Sequence, residues 1–164
     1  MTTAFTFITR AARKAVLGPA EAFLLLRMAG WVTVLSLAVK ALPLPRALGL
    51  LSTRTRPRAQ IREAATKKRL ADSIDLLLKA DLLILKPICW KRAAVLHRYL
   101  ALNGISTRIQ FGMRREADGS LSGHAWLEES GSPILEATPP NYAVTYSFPS
   151  SENFEGDLQS LMPR

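Results

Sequence analysis

The hydrophobic pattern changes from helical to alternating period near residue 105, and this change limits the fold more than any other feature. From Cys89 onward apolar residues recur at helical spacing as far as Asn103-Gly104, a common helix stop. The segments 105–113 and 121–128 then alternate apolar and polar residues, as half-buried strands do. We therefore predict an α+β domain in which a central helix packs against a small antiparallel sheet.

Two further helices and a short helical piece at 46–51 are predicted upstream. Pro19 opens one that runs to about Leu42, and residues 60–85 form another. The segment 52–58 between them has the composition of a linker. The 164 residues accordingly divide into a basic N-terminal segment (1–18), a helical region (19–86), a core that carries the candidate site (87–149) and a flexible tail (150–164).

The only cysteine, Cys89, lies where the central helix is predicted to begin. Pro87 disfavours helix upstream and permits one to start just after it. A thiol in the first turn lies near the partial positive charge of the helix N-terminus, which favours the thiolate. Cys89 is therefore a candidate nucleophile. The alternative is a small buried hydrophobic residue, which is the usual role of a single cysteine.

A histidine and a carboxylate follow Cys89 on the predicted strands. His124 lies on the strand 121–128, and Glu136 lies on a short strand at 134–138. An imidazole can take the proton of a thiol, and a carboxylate can hold that imidazole in one orientation and tautomer. We predict a catalytic triad of these three residues. Taken alone, the histidine could instead be a satisfied core or edge residue and the glutamate a solvated acid.

The turn at residues 129–131 determines whether the two groups meet. With a three-residue loop, Glu128 pairs with Ser132, and His124 lies directly opposite Glu136 with the Cβ atoms about 5 Å apart. A two-residue loop would place Glu136 on the wrong face of the sheet. The triad prediction therefore includes a three-residue loop.

The sequence resembles the transglutaminase-like proteins of lasso-peptide biosynthesis, the leader peptidases called maturation B proteins. The resemblance implies a transglutaminase-like or papain-like core. It also implies that Cys89 attacks the bond between leader and core peptide while His124 is the general acid/base. The third residue of that family is commonly aspartate, and Glu136 occupies its place. Trp90 and Trp126 could line the site, although core packing is an equal alternative for Trp126. The segments that carry the resemblance are 89–93, 100–105, 111–114 and 123–128, with a weaker likeness over the upstream apolar run 21–50.

The resemblance also implies partners. A precursor peptide is the substrate. The first 70 residues look helical and lack the strand-rich pattern of a fused leader-recognition domain, so a separate leader-binding protein is expected, beside an ATP-dependent macrolactam synthetase. Two other classes stay open: a catalytically inactive transglutaminase-like binding module, and an acyl transferase that uses the same thioester chemistry with an amine in place of water.

Charge and composition narrow the remaining possibilities. Residues 1–70 carry 13 Lys and Arg against 2 acidic residues, whereas residues 71–164 carry 9 against 11, which gives the net charge of +9. The basic run 54–69 contains no aromatic residue, so nucleic-acid binding is not favoured. One cysteine suits a reducing cytoplasm, and with 2 histidines it makes no convincing metal site; no cofactor motif is present. The upstream apolar run leaves peripheral membrane contact open.

Overall fold

The computed structural model describes residues 18–52, 63–79 and 89–149, and within them the predicted α+β architecture is confirmed. The predicted linker beyond residue 52, the approach to Cys89 through Pro87 and the tail lie outside these residues, as do residues 1–17. The elements are α1 (Pro19–Ala41), α2 (Leu44–Gly49), α3 (Glu63–Lys79), α4 (Cys89–Leu102), β1 (Arg108–Arg115), β2 (Leu121–Glu129), β3 (Ser132–Ile134) and β4 (Ala143–Phe148).

Helix α1 packs on the domain along one narrow stripe. Met28, Val32 and Leu35 recur at helical spacing and are fully buried, whereas Leu26 and Leu37 are 70% and 56% exposed. By length and apolar composition, α1 is the one helix among the described residues that could cross a membrane, and 17% of its most apolar window is buried.

Helix α4 is the centre of the core. It contacts α1 and α3 on one side and the sheet on the other, so that even Lys91 is only 6% exposed. The helix ends as predicted, because Gly104 adopts a left-handed conformation (φ 82°) in which Ile105 N–H donates to the Leu100 carbonyl at 3.0 Å. The candidate nucleophile therefore begins a helix that packing holds from several directions.

The sheet is antiparallel, with strand order β3-β2-β1-β4. One face carries Ile109, Ala125 and Leu127 into the core beneath α4. Because β3 and β4 are the two edge strands, the chain between them, residues 135–142, must cross the sheet. It passes the opposite face, where Tyr142 contacts the side chain of His124. This connection, which we call the crossover, carries Glu136.

The β1–β2 hairpin follows the prediction closely. Gly119 takes the left-handed conformation that a turn at Asp118-Gly119 requires (φ 84°), and the Asp118 carboxylate accepts the Ser120 N–H at 2.9 Å. This turn sets the register in which Gly112 lies opposite His124.

The predicted three-residue loop between β2 and β3 is wrong. Glu129 pairs with Ser132, which leaves a two-residue loop of Ser130 and Gly131 with φ of 50° and 81°. Two successive positive φ values give a turn whose twist matches that of the flanking strands, so this tighter loop is preferred. The predicted strand at 134–138 is also wrong, because β3 ends at Ile134.

The pairing of β1 with β4 contains a bulge. Phe111 pairs with Tyr146 and Gly112 with Val144, so Thr145 is an extra residue on β4. The extra residue shifts the alternation, and Tyr142 consequently lies on the face of His124, while Tyr146 packs against the core. In the sequence, the alternation of Tyr142, Val144, Tyr146 and Phe148 predicts a final strand with its aromatic residues on one face, and the bulge shows that this prediction is wrong for Tyr142.

Candidate active site

Cys89 is the first residue of α4 and is a free, half-buried thiol packed against the core cluster. Its side chain is neither fully buried nor fully exposed. Reactive thiols are commonly partly exposed in this way. Neighbouring Trp90 is also partly buried against the same cluster.

His124 and Glu136 are in contact. Nε2 of His124 lies 3.2 Å from Oε2 of Glu136, and the exposed fractions of the two side chains are 27% and 19%. An ionised carboxylate only accepts hydrogen bonds, so the Nε2–H donates and Nδ1 is the nitrogen with a lone pair for proton exchange.

The contact forms in spite of the two-residue loop because of Leu135. In the observed register the strand alternation would carry Glu136 to the position opposite Ala125, away from the face of His124. Leu135 adopts φ 60°, however, and turns the chain out of β3 before Glu136 is reached. A left-handed conformation is unfavourable for a leucine, and this backbone strain lies beside the candidate site.

Arg92, one helical turn after Cys89, holds the other side of Glu136. Its guanidinium donates to both carboxylate oxygens of Asp75 on α3 at 2.7 and 3.2 Å and to the carbonyl of Leu135 at 3.3 Å. Nη1 lies 3.5 Å from Oε1 of Glu136. A single planar group thus links α3, α4 and the crossover.

The imidazole of His124 forms a cluster with two aromatic rings that also contact each other, with 6.3 Å between their centroids. The Trp126 ring stacks 6.0 Å from that of His124 with an interplanar angle of 14°, and the Tyr142 ring is 5.4 Å away. Trp126 is 3% exposed, and its indole N–H donates to Glu128 at 3.2 Å. The rings restrict the positions that the His124 side chain can take.

An open cavity of about 530 Å³ is lined by Cys89 on its helical side and by His124 on its sheet side. We call it the Cys89 cavity. The imidazole of His124 lies on the sheet face opposite that of Ala125, which packs beneath α4, and among the described residues no hydrogen bond joins the thiol to the imidazole. Trp90 lines this cavity, while Trp126 packs behind His124. The helical side of the cavity is formed by Leu44, Pro45, Cys89 and Trp90, and the sheet side includes Phe111, Met113, His124, Thr145 and Tyr146.

The second histidine, His97, lies in the core and is not part of the candidate site. It is 8% exposed, Nδ1 lies 3.0 Å from Thr107 Oγ1, and burial lowers its pKa to about 4. It is therefore neutral inside the core. No group of three or more potential metal-binding side chains occurs within residues 18–52, 63–79 and 89–149.

The domain has the helix-and-sheet arrangement of a transglutaminase-like fold. The family model described as the Transglutaminase-like superfamily matches residues 29–147, and the chain belongs to that superfamily. The superfamily includes cysteine peptidases and acyltransferases. Neither the curated proteins nor the solved structures contain a significant match.

Sequence reasoning missed Arg92, Asp75 and Tyr142. The helical period places Arg92 off the apolar stripe of α4, where a charged residue is usually solvated. Its partners are 17 and 44 residues away along the chain, and no local pattern reports such a pairing. Tyr142 was counted among core aromatics because the bulge at Thr145 has no clear sequence signal.

Proposed function

We propose that this chain is a cysteine peptidase that removes the leader from a ribosomally made precursor peptide, as in lasso-peptide maturation. The observation that carries the proposal is the 3.2 Å contact between His124 and Glu136 beside a cavity that also contains the only cysteine. Membership of the Transglutaminase-like superfamily supports cysteine chemistry in general. The choice of a leader peptide as substrate depends on the resemblance of the segments around Cys89 and His124.

The reaction would proceed through a thioester. The sulfur of Cys89 attacks the carbonyl carbon while Nδ1 of His124 takes the thiol proton, and the backbone N–H of Cys89 is a candidate donor to the oxyanion. His124 then protonates the leaving amine as the C–N bond breaks. Water attacks the thioester with His124 as base, which releases the leader carboxylate and restores the thiol. Glu136 holds the ring tautomer throughout.

The mechanism requires the imidazole to approach the thiol when substrate binds. Catalytic hydrogen bonds are often long in the absence of substrate and tighten in the complex. The Trp126 and Tyr142 rings that pack against the imidazole limit the directions in which it can move.

The proposed partners follow from the same resemblance. They are the precursor peptide, a separate leader-binding protein and an ATP-dependent macrolactam synthetase, all in the cytoplasm. The exposed apolar side chains of α1, among them Phe23 and Leu26 at 60% and 70% exposure, offer a surface for a protein partner or for peripheral membrane contact.

The test is incubation of a candidate precursor peptide and its leader-binding protein with the wild-type chain or Cys89→Ala. Cleavage by wild type alone is expected, with two products whose masses sum to precursor plus one water. Equal cleavage by both proteins, or by neither, removes the peptidase proposal and favours the inactive binding module. A product that carries an added amine in place of water identifies an acyl transferase.

A further inference from the structure

The Cys89 cavity is placed to select the acyl half of the substrate. The carbonyl carbon that is attacked must lie against the sulfur, and the side chain of the same residue is attached to the next carbon. That side chain must therefore enter space adjoining Cys89, and within the part of the chain that the structure describes this cavity provides such space. The geometry is the same for hydrolysis and for acyl transfer, because both begin with the same acyl-enzyme.

The walls of the cavity are almost entirely apolar. Trp90, Phe111 and Met113 present carbon-rich side chains, and Met113 is 44% exposed at the mouth. None of the described residues that line the cavity is Asp, Glu, Lys or Arg. A charged substrate side chain placed there would lose its hydration without gaining an ionic partner.

Besides His124, two polar residues line the sheet wall, Thr145 and Tyr146, and they do not change this character. The hydroxyl of Thr145 donates to the carbonyl of Phe111 at 3.1 Å and is thus already used. Burial raises the pKa of Tyr146, which keeps its phenol neutral at physiological pH. The cavity volume of about 530 Å³ lies within the roughly 300–1,000 Å³ typical of ligand sites.

We propose that the Cys89 cavity receives an uncharged aliphatic or aromatic side chain from the substrate residue whose carbonyl carbon Cys89 attacks. This inference rests on the proposed nucleophilic role of Cys89. It adds a substrate class that a His124–Glu136 pair alone does not specify.

The test uses peptide chloromethyl ketones, in which a thiolate displaces chloride and forms a thioether. Four N-acetyl tripeptide reagents differ only in the residue next to the ketone, which is Phe, Leu, Asp or Lys. Intact mass counts the adducts, and Cys89→Ala, which removes the one cysteine, measures labelling at other side chains so that it can be subtracted. The rate for each reagent is divided by its rate with the urea-unfolded chain, which removes differences in intrinsic reactivity. We expect the Phe and Leu reagents to react about tenfold or more faster than the Asp and Lys reagents.

A pair of variants tests the location of the preference. Met113→Lys places a cation at the mouth of the cavity and should reduce the preference for Phe over Asp at least severalfold. Val144→Lys is the matched control, since Val144 is 51% exposed on the neighbouring strand and does not line the cavity. It should leave the preference unchanged.

The outcomes separate this inference from the proposed function. Equal normalised rates for all four reagents, with labelling still slowed by His124→Ala, overturn the inference and leave the proposed function intact. Labelling that His124→Ala does not slow removes the proposed function and the inference with it. A preference that Met113→Lys leaves unchanged contradicts the assignment to this cavity.

Discussion

At the scale of single residues, the contact between Glu136 and His124 decides which ring nitrogen is available for chemistry. The carboxylate occupies Nε2 at 3.2 Å, so a proton from a thiol can be accepted only at Nδ1. Glutamate is one methylene longer than aspartate. The turn at Leu135 brings this longer side chain within reach.

Replacing Glu136 should therefore impair the proposed reaction more than it impairs folding. In Glu136→Gln, the side-chain amide can donate to Nε2 of His124. This favours the imidazole tautomer with its proton on Nδ1, which cannot accept the thiol proton. We expect kcat for precursor cleavage to fall about a hundredfold or more. Glu136→Asp, which keeps the charge, should lose less. An unchanged kcat in Glu136→Gln, with normal far-UV circular dichroism, would show that the carboxylate does not orient the ring.

His97 makes a separate prediction about stability and pH. Burial lowers its pKa to about 4 in the folded chain, against about 6.5 when unfolded, so between these values the unfolded state binds more protons. The contribution of His97 to stability is thus complete above pH 6.5 and is lost as the pH falls toward 4. From pH 7 to 4.5 the free energy of unfolding should fall by about 2–3 kcal/mol on account of this residue.

Urea unfolding at the two pH values, for wild type and His97→Gln, measures this effect. The glutamine variant is expected to be less stable at pH 7 but to lose less stability on acidification. The same pH dependence in both proteins would assign the loss to other groups.

At the scale of secondary-structure elements, the crossover and the sheet face beneath it form a unit around His124. Gly112 lies opposite His124 in the register, and the crossover passes directly over it. A Cβ added at Gly112 would lie 2.7 Å from Cβ of Tyr142 and 2.9 Å from the Trp126 ring. The close approach of these two aromatic residues to the backbone of β1 therefore requires glycine.

Gly112→Ala should destabilise the fold by about 1–3 kcal/mol. The Cβ of Tyr142 is attached to the backbone and the Trp126 ring is buried, so neither can move aside freely. Gly123→Ala is the matched control on the adjacent strand, where the nearest atom to an added Cβ is a backbone oxygen at 3.9 Å. Thermal unfolding of the two variants should show a drop in Tm of several degrees for the first and little change for the second. Similar Tm values would contradict the tight packing of the crossover.

Arg92 connects α3, α4 and the crossover, so its loss should lower the stability of the fold. Arg92→Met removes the bonds to Asp75, to the Leu135 carbonyl and to Glu136, with an expected cost of about 1–3 kcal/mol in unfolding free energy. Lys68→Met is the control, since the Lys68–Asp72 pair on α3 is 76% and 65% exposed and should contribute close to nothing. Equal urea midpoints for the two variants would show that the Arg92 network does not stabilise the fold.

At the scale of the whole molecule, the elements with strong periodicity were predictable from sequence and their long-range geometry was not. Helices α1 and α4 and the β1–β2 hairpin follow from local spacing, Gly104 and Gly119. The loop at Ser130-Gly131 was mispredicted because a serine with positive φ has no distinctive pattern.

The triad illustrates the same limit. His124 and Glu136 were predicted to meet, but by a register that does not occur. Their contact depends on the turn at Leu135 and on Arg92, both of which are set by packing between elements distant in sequence. The contact between these two side chains was thus predicted through an incorrect local geometry, because chemistry restricts residue types more than it restricts turns.

Activation of Cys89 by His124 is the central step of the proposed mechanism, and the alkylation rate of the single cysteine measures it most directly. Wild type, His124→Ala and the urea-unfolded chain are treated with iodoacetamide at pH 7, and the carboxamidomethyl adduct is followed by intact mass. We expect folded wild type to react about tenfold or more faster than His124→Ala. Equal rates for wild type and His124→Ala, both at or below the rate of the unfolded chain, would contradict the activation of Cys89 by His124.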